Sequence, residues 1–245
     1  MDNALYVGLS RQMTLRRELD VIANNVANVD TVGFKVESLM VGTDTETLPA
    51  AGPAPDKVHF ALDGGVARDF GQGGLKQTGA TFDVALEGRG FFSVSTANGT
   101  RYTRDGRFSL DGQGRLVTSS GDPVLDSSGG EITLDPSKGA PKISEDGTIS
   151  QGTLTAGKIG VADFASLSAL SKDGDGLYSN VSNLQPTPAP DTRIRQGMIE
   201  GSNVDPISQI TKLVEVSRAY ENISKMMDQT ASLSSQTIDR LGRLN

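Results

Sequence analysis

The chain has 245 residues with a net charge of -7, 36% apolar and 22% charged residues, which bounds it to a globular chain with one good-sized core or two small ones. The acidic balance argues against nucleic acid as a partner, and the lack of any run of 18 apolar residues against membrane insertion by a helix. Absence of cysteine removes disulfides, thiolate nucleophiles and cysteine-bound metals, and His59 is the sole histidine. In chain order, the first element is a helix predicted from about Ala4 to Val32. Its apolar positions Leu15, Leu19, Ile22, Val26 and Val29 repeat at 4, 3, 4, 3, the seam of a coiled coil. The flank of that helix carries Asn24, Asn25, Asn28 and Asp30, which are mediocre helix formers. Short amides at such positions suit fixed hydrogen bonds, and contacts to neighbouring chains are expected of them. Two endings are compatible with "NVDTVGFK": Gly33 in the left-handed conformation with Phe34 folded back on Val29, or Asn28 as terminator followed by an ordered turn. The opening residues carry charges at Asp2, Arg11, Arg16 and Arg17 and no apolar h-region, so no cleaved signal peptide is expected.

A connecting segment is expected over 36–68, with a Pro/Ala-rich link at 48–55. Residues 69–190 read as an antiparallel β-domain, a sandwich or partial barrel, because short runs such as "FDVAL", "GFFSVS" and "EITL" alternate with DG, DGQG and DSSGG turns. Asp105-Gly106 and Asp146-Gly147 are two-residue hairpin candidates. At the first, a strict hairpin sets Arg104 opposite Arg107, which calls for a longer loop or an acidic partner. A return linker follows over 191–203, then a second helical segment over 204–245. Asp205-Pro206 supplies its N-cap and first turn. Its seam runs Leu213, Val216, Tyr220, Ile223, Met227, Ala231, Ser234, Ile238 and Leu241, with one stutter. The fold class is therefore α+β, two terminal helices paired like a coiled coil around an inserted β-domain. Each helix has a seam too narrow to stand alone, so the pair is expected to bury itself and to need neighbours.

No catalytic constellation assembles from these residue types. His59 reads as a surface or packing residue, and "GRG" at 88–90 leads into a strand rather than a helix. "KDGDG" at 172–176 lacks the spacing of a calcium loop and reads as a turn. Asp83 and Glu87 share a strand face beside arginines, which suits salt bridges better than acid/base work. No cofactor and no metal is expected. The functional positions are instead Leu15, Leu19, Ile22, Val26 and Val29, Leu213, Val216, Tyr220, Ile223 and Met227, together with Asn24, Asn25, Asn28, Gly33 and Phe34, read as subunit-interface residues.

Three stretches carry a resemblance. "ANNVANVDTVGFK" (23–35) resembles the N-terminal signature of the axial proteins of the bacterial flagellum, the rod and hook family. "QGMIEGSNVDPISQITKLVEVSRAYENISKMMD" (196–228) resembles the signature at that family's other end. "TGATFDVALEGRGFFSV", "RYTRDGRFSLDGQGRLVTSSGDPVL" and "GDGLYS" resemble its shared β-domain. The length and the opening "MDNALYVGLSRQ" look most like a proximal-rod member, with a distal-rod member as the alternative. What the resemblance implies is a structural subunit whose paired helices line an inner tube and whose β-domain faces outward. It also implies export through the flagellar type III apparatus without signal cleavage, and other rod proteins as partners. The competing classes are a β-sandwich binding module with helical oligomerisation ends and a two-carboxylate hydrolase.

Overall fold

The structure, a computed structural model, describes residues 2–47 and 57–242, with side chains described for 5–43, 61–233 and 236. The Pro/Ala-rich link at 48–55 and the side chains of His59, Ser234, Ile238 and Leu241 lie outside the described residues. The chain divides into two compact units.

One unit holds both long helices and a β-ribbon. Helix α1 spans Asp2–Ala27 and α2 spans Pro206–Gly242. Strands β1 (Glu37–Thr47) and β2 (Lys57–Arg68) pair antiparallel, with a bulge between Leu39 and Val41. The segment expected as a plain connection thus contains a long two-stranded ribbon. Isolated ribbons are marginal in water, and this one lies against α1, where the Arg17 guanidinium stands 3.7 Å from Asp63. The helices run antiparallel. Asn25 meets Gln209, the Gln12 amide donates to Ser224 Oγ at 2.9 Å, and Gly8 lies under Met227, so each step along α1 is matched by a step back along α2. The predicted start of α2 holds: the Asp205 carboxylate accepts from the Ile207 amide at 3.1 Å, and Pro206 occupies the first helical position, where no amide is missed.

The first helix ends at Ala27, five residues before the expected Val32. Of the two endings, the structure takes the ordered turn. The Thr31 amide donates to the Asn28 carbonyl at 3.1 Å and the Thr31 hydroxyl to Asn28 Oδ1 at 3.1 Å, so asparagine closes the helix with its own backbone and side chain. Gly33 does adopt a left-handed φ of 69°, but its amide goes to the Glu200 carbonyl rather than back to the helix. It serves a loop, not a cap.

The second unit, 28–36 with 70–204, is β-rich. Its largest sheet is antiparallel throughout and curls as a half-barrel. In spatial order the strands are Leu170–Lys172, Leu177–Asn180, Gly99–Thr103, Phe91–Thr96, Val161–Asp163 and Thr187–Pro188. Two-residue periodicity makes the adjacent Phe91 and Phe92 serve opposite faces. Phe92 and Val94 join Leu86, Leu116, Ile149 and Ile194 in one core, while Phe91 joins Tyr102, Phe164 and Tyr178 in another. Burial in that second cluster pushes the Tyr102 phenol above its usual pKa. Arg193–Gln196 pairs with Val84–Glu87, and Met198–Glu200 pairs with Leu75–Gln77, which brings the chain back to where it entered.

Neither aspartate–glycine pair forms a strict two-residue hairpin. The strand before the first ends at Thr103, and the Gly106 carbonyl accepts from the Val84 amide at 2.9 Å. A Cβ on Gly106 would fall 1.7 Å from the Val84 carbonyl oxygen, so close backbone approach rather than turn geometry demands glycine there. At the second, the turn runs Ser144–Gly147, the Gly147 amide donating to the Ser144 carbonyl at 2.9 Å.

Candidate assembly surface and a buried ion cluster

The apolar seam forms within the chain. Leu15, Ile22 and Val216 are buried together, and Leu19, Val26, Leu213, Tyr220 and Ile223 pack half-buried around them. Met227 is half-buried beside Gly8, where a Cβ would come within 3.1 Å of Met227 Cγ. Val29 lies past the end of α1 and belongs to the β-rich unit, so it does not extend the seam.

The asparagine flank divides into separate roles. Asn24 is exposed, Asn28 closes α1, and Asn25 is 1% exposed. Asn25, expected to contact a neighbouring chain, uses its amide inside this one. Its Nδ2 donates to the Glu37 carbonyl at 2.7 Å and to Gln209 Oε1 at 3.1 Å, and its Oδ1 accepts from the Glu37 amide at 2.9 Å. The side chain thus mimics a strand partner for the first residue of β1 while holding α2 in register with α1. Asn25→Ala removes the donor and the acceptor that the Glu37 backbone and Gln209 use, at about 1–3 kcal/mol. The expected outcome is a less stable helical unit with an unchanged β-rich unit, read by comparing amide hydrogen exchange along α1 and α2 with that in the half-barrel sheet.

Within the β-rich unit the loop 28–36 and the returning strand Met198–Glu200 meet on one carboxylate. Glu200 is fully buried. Its Oε1 accepts from Lys35 Nζ at 2.6 Å and from the Gly73 amide at 2.8 Å, and its Oε2 accepts from Arg104 Nη1 at 3.0 Å. Lys35 also donates to the Gly71 carbonyl at 2.8 Å, and Arg104 Nη2 to the Gly88 carbonyl at 2.8 Å. The Arg104 guanidinium stands 5.3 Å over the Phe91 ring. Asn203 completes the junction, its Oδ1 accepting from the Val36 amide at 2.8 Å and its Nδ2 donating to the Gly71 carbonyl at 3.1 Å. Phe34 is buried, with the Lys172 ammonium 4.8 Å from its ring centre. Gly33 and Phe34, expected as interface residues, are therefore parts of this intrachain junction.

The Arg104–Arg107 conflict does not arise, for both reasons foreseen. The loop is longer than two residues, and each arginine has its own carboxylate: Glu200 for Arg104, and Asp105 at 2.6 Å for Arg107. The hydrogen bond with Asp105 holds the Arg107 guanidinium above its usual pKa. Glu87 is salt-bridged to Arg195 at 2.8 Å, and Asp83 lies in a β-bridge with Arg107. In "KDGDG", Asp173 pairs with Arg101 at 2.5 Å and the loop closes as a turn through the Leu177 amide and Gly174 carbonyl at 2.7 Å. Lys35, Arg104 and Glu200 were not singled out from sequence as a set. The only signal was the arginine that lacked a tolerable hairpin partner.

Terminal helices paired antiparallel, with a β-rich unit inserted between them, define a structural subunit of the axial type. Three family descriptions match in that order. They are "Flagella basal body rod protein" over residues 5–35, "Flagellar hook protein FlgE/F/G D1 domain" over 85–151, and "Flagellar basal body rod FlgEFG protein C-terminal" over 195–240. The chain is 53% identical to the flagellar basal-body rod protein FlgF of Caulobacter vibrioides, covering all of both chains. It is 40% identical to that of Mesorhizobium japonicum over 99% of each. It is 31% identical to the rod protein FlgG of Bacillus subtilis, over 98% of this chain and 99% of the relative. The chain belongs to the flagellar basal-body rod protein family, and it is a structural subunit of the flagellar basal body.

Proposed function

We propose that this chain is a subunit of the proximal rod, transmitting torque from motor to hook, with other rod proteins as its helical neighbours. It reaches the periplasmic span through the flagellar export apparatus without signal cleavage, and it catalyses nothing. The observation that supports the proximal placement is the gradient of identity: 53%, 40% and 34% to the FlgF relatives, against 30–33% to the FlgG relatives. The half-buried seam residues Leu19, Val26, Leu213, Tyr220, Ile223 and Met227 retain surface for a neighbour, while Leu15, Ile22 and Val216 are consumed within the chain.

Electron microscopy of basal bodies from a strain lacking this chain tests the reading. The expected result is a non-motile strain whose basal bodies lack a complete rod, restored by the parent chain. Intact rods in the deletion strain overturn it. Basal bodies that keep a proximal rod and stop further out overturn the proximal placement alone.

A further inference from the structure

The seam uses one face of each long helix, yet each helix carries a second apolar stripe. On α1 the stripe is Tyr6, Leu9 and Met13, at 62%, 44% and 65% exposure, and on α2 it is Ile207, Ile210 and Val214, at 77%, 51% and 44%. At 3.6 residues per turn these stripes lie roughly 140° around their helices from the seam, so α1 and α2 of one chain cannot cover each other's. Both stripes step by three and then four residues, so a parallel alignment matches them in phase and an antiparallel one within a single residue's rise of about 1.5 Å.

The charges that follow decide the direction. Beyond its stripe the outer face of α1 continues to Arg17 and Asp20, and that of α2 to Arg218 and Glu221. Parallel alignment sets Asp20 against Glu221, a like-charge pair that opposes association, and Arg218 against Arg17, which Asp63 already screens at 3.7 Å. Antiparallel alignment pairs Tyr6 with Val214, Leu9 with Ile210 and Met13 with Ile207, and carries the charged stretches apart. It is also the alignment available to copies stacked in one orientation, because α1 and α2 are antiparallel within each copy. The groove beside Met13 adds a receptor: about 570 Å³ between α1 and β2, whose apolar lining is Met13, Ala61 and Leu62 and whose charged lining is Arg16, Arg17, Asp20 and Asp63. Ile207, the most exposed large apolar side chain among the described residues, is the matching projection.

We propose that Ile207, Ile210 and Val214 of one copy seat antiparallel on Tyr6, Leu9 and Met13 of a second copy, with Ile207 entering the groove at Leu62. The two surfaces differ, so the contact is heterologous and propagates instead of closing as a dimer. This rests on the axial-subunit reading above and names the surfaces that perform it.

The absence of cysteine makes cross-linking clean. Chains carrying Met13→Cys with Ile207→Cys, or Met13→Cys with Val214→Cys, are expressed in place of the parent, oxidised in cells, and examined in purified basal bodies. Covalent dimers and higher multiples are expected for the first pair and none for the second or for single variants. Cross-links with the second pair alone, a ladder that stops at dimer, adducts only to a different axial protein, or no cross-link in basal bodies that contain the chain each overturn the proposal. Should the first variant abolish swimming before oxidation, Tyr6→Cys with Val214→Cys tests the same alignment by the same criteria. Absence of the parent chain from basal bodies is a separate result: it removes the rod reading itself, and this contact with it.

Discussion

Replacing Glu200 with alanine is expected to destabilise the β-rich unit by about 3–5 kcal/mol, because it strands two buried cations. At that size the melting temperature falls by on the order of 10 °C or more. The loss has a definite origin. Lys35 and Arg104 have 0% and 3% side-chain exposure and share the one carboxylate, and the Gly73 amide leans on it as well. Glu200→Gln keeps the shape and the acceptor oxygen but not the charge, so it should fall between parent and alanine. A triple variant, Lys35→Met with Arg104→Leu and Glu200→Leu, removes every charge at once and should recover part of the loss. Full recovery is not expected, since the Gly73 amide and the Gly71 and Gly88 carbonyls still need partners. Thermal and urea melts of the purified variants decide the order; an alanine variant as stable as the parent refutes the role given to Glu200.

The second large effect is expected at Gly33. With φ at 69°, an alanine pays about 1–2 kcal/mol for the left-handed conformation. Its Cβ would also lie 2.7 Å from the carbonyl carbon of Arg104 and from the Asp105 amide nitrogen, adding about 1–3 kcal/mol of overpacking. The two contributions separate with Gly33→Asn, since asparagine tolerates positive φ but still carries a Cβ. If close approach dominates, asparagine melts no higher than alanine. If asparagine matches the parent, the loop has room and only the backbone conformation matters. Either substitution displaces the Arg104 backbone and so works against the Glu200 cluster, which predicts non-additive losses in Gly33→Ala with Glu200→Ala.

Sequence reading recovered what repeats and what punctuates. The 4, 3, 4, 3 spacing from Leu15 predicts a helix that pairs with the spacing from Leu213, and Asp205-Pro206 marks the start of α2. The turn-rich middle predicts antiparallel strands, which the half-barrel sheet contains. Three features were hidden for physical reasons. Strand β1 is apolar only at Leu39–Val41 and β2 is interrupted by Gly64-Gly65, so neither shows a sustained alternation, and their pairing rests on backbone hydrogen bonds and on α1. Asn28 was one of two readable endings for α1, but the use of Asn25 as a partner for the Glu37 backbone is a contact across a turn that no local preference encodes. Lys35, Arg104 and Glu200 look like ordinary surface charges along the chain. Their burial exists only because strands far apart in sequence converge, and a lone sequence carries no period for that.

The same carboxylate has a consequence for the order of folding. Lys35 and Glu200 are 165 residues apart, and Arg104 and Glu200 are 96 apart. A chain made from its N-terminus holds both cations long before their counterion appears. Until residue 200 arrives, neither cation can be sequestered without a charge left bare in apolar surroundings. Contacts of such long range are the slow ones to close. Partial chains should therefore remain open, and completion of the β-rich unit should wait for nearly the whole polypeptide. The clamp acts as a late latch, keeping the nascent chain pliable and making the finished unit form in one cooperative step.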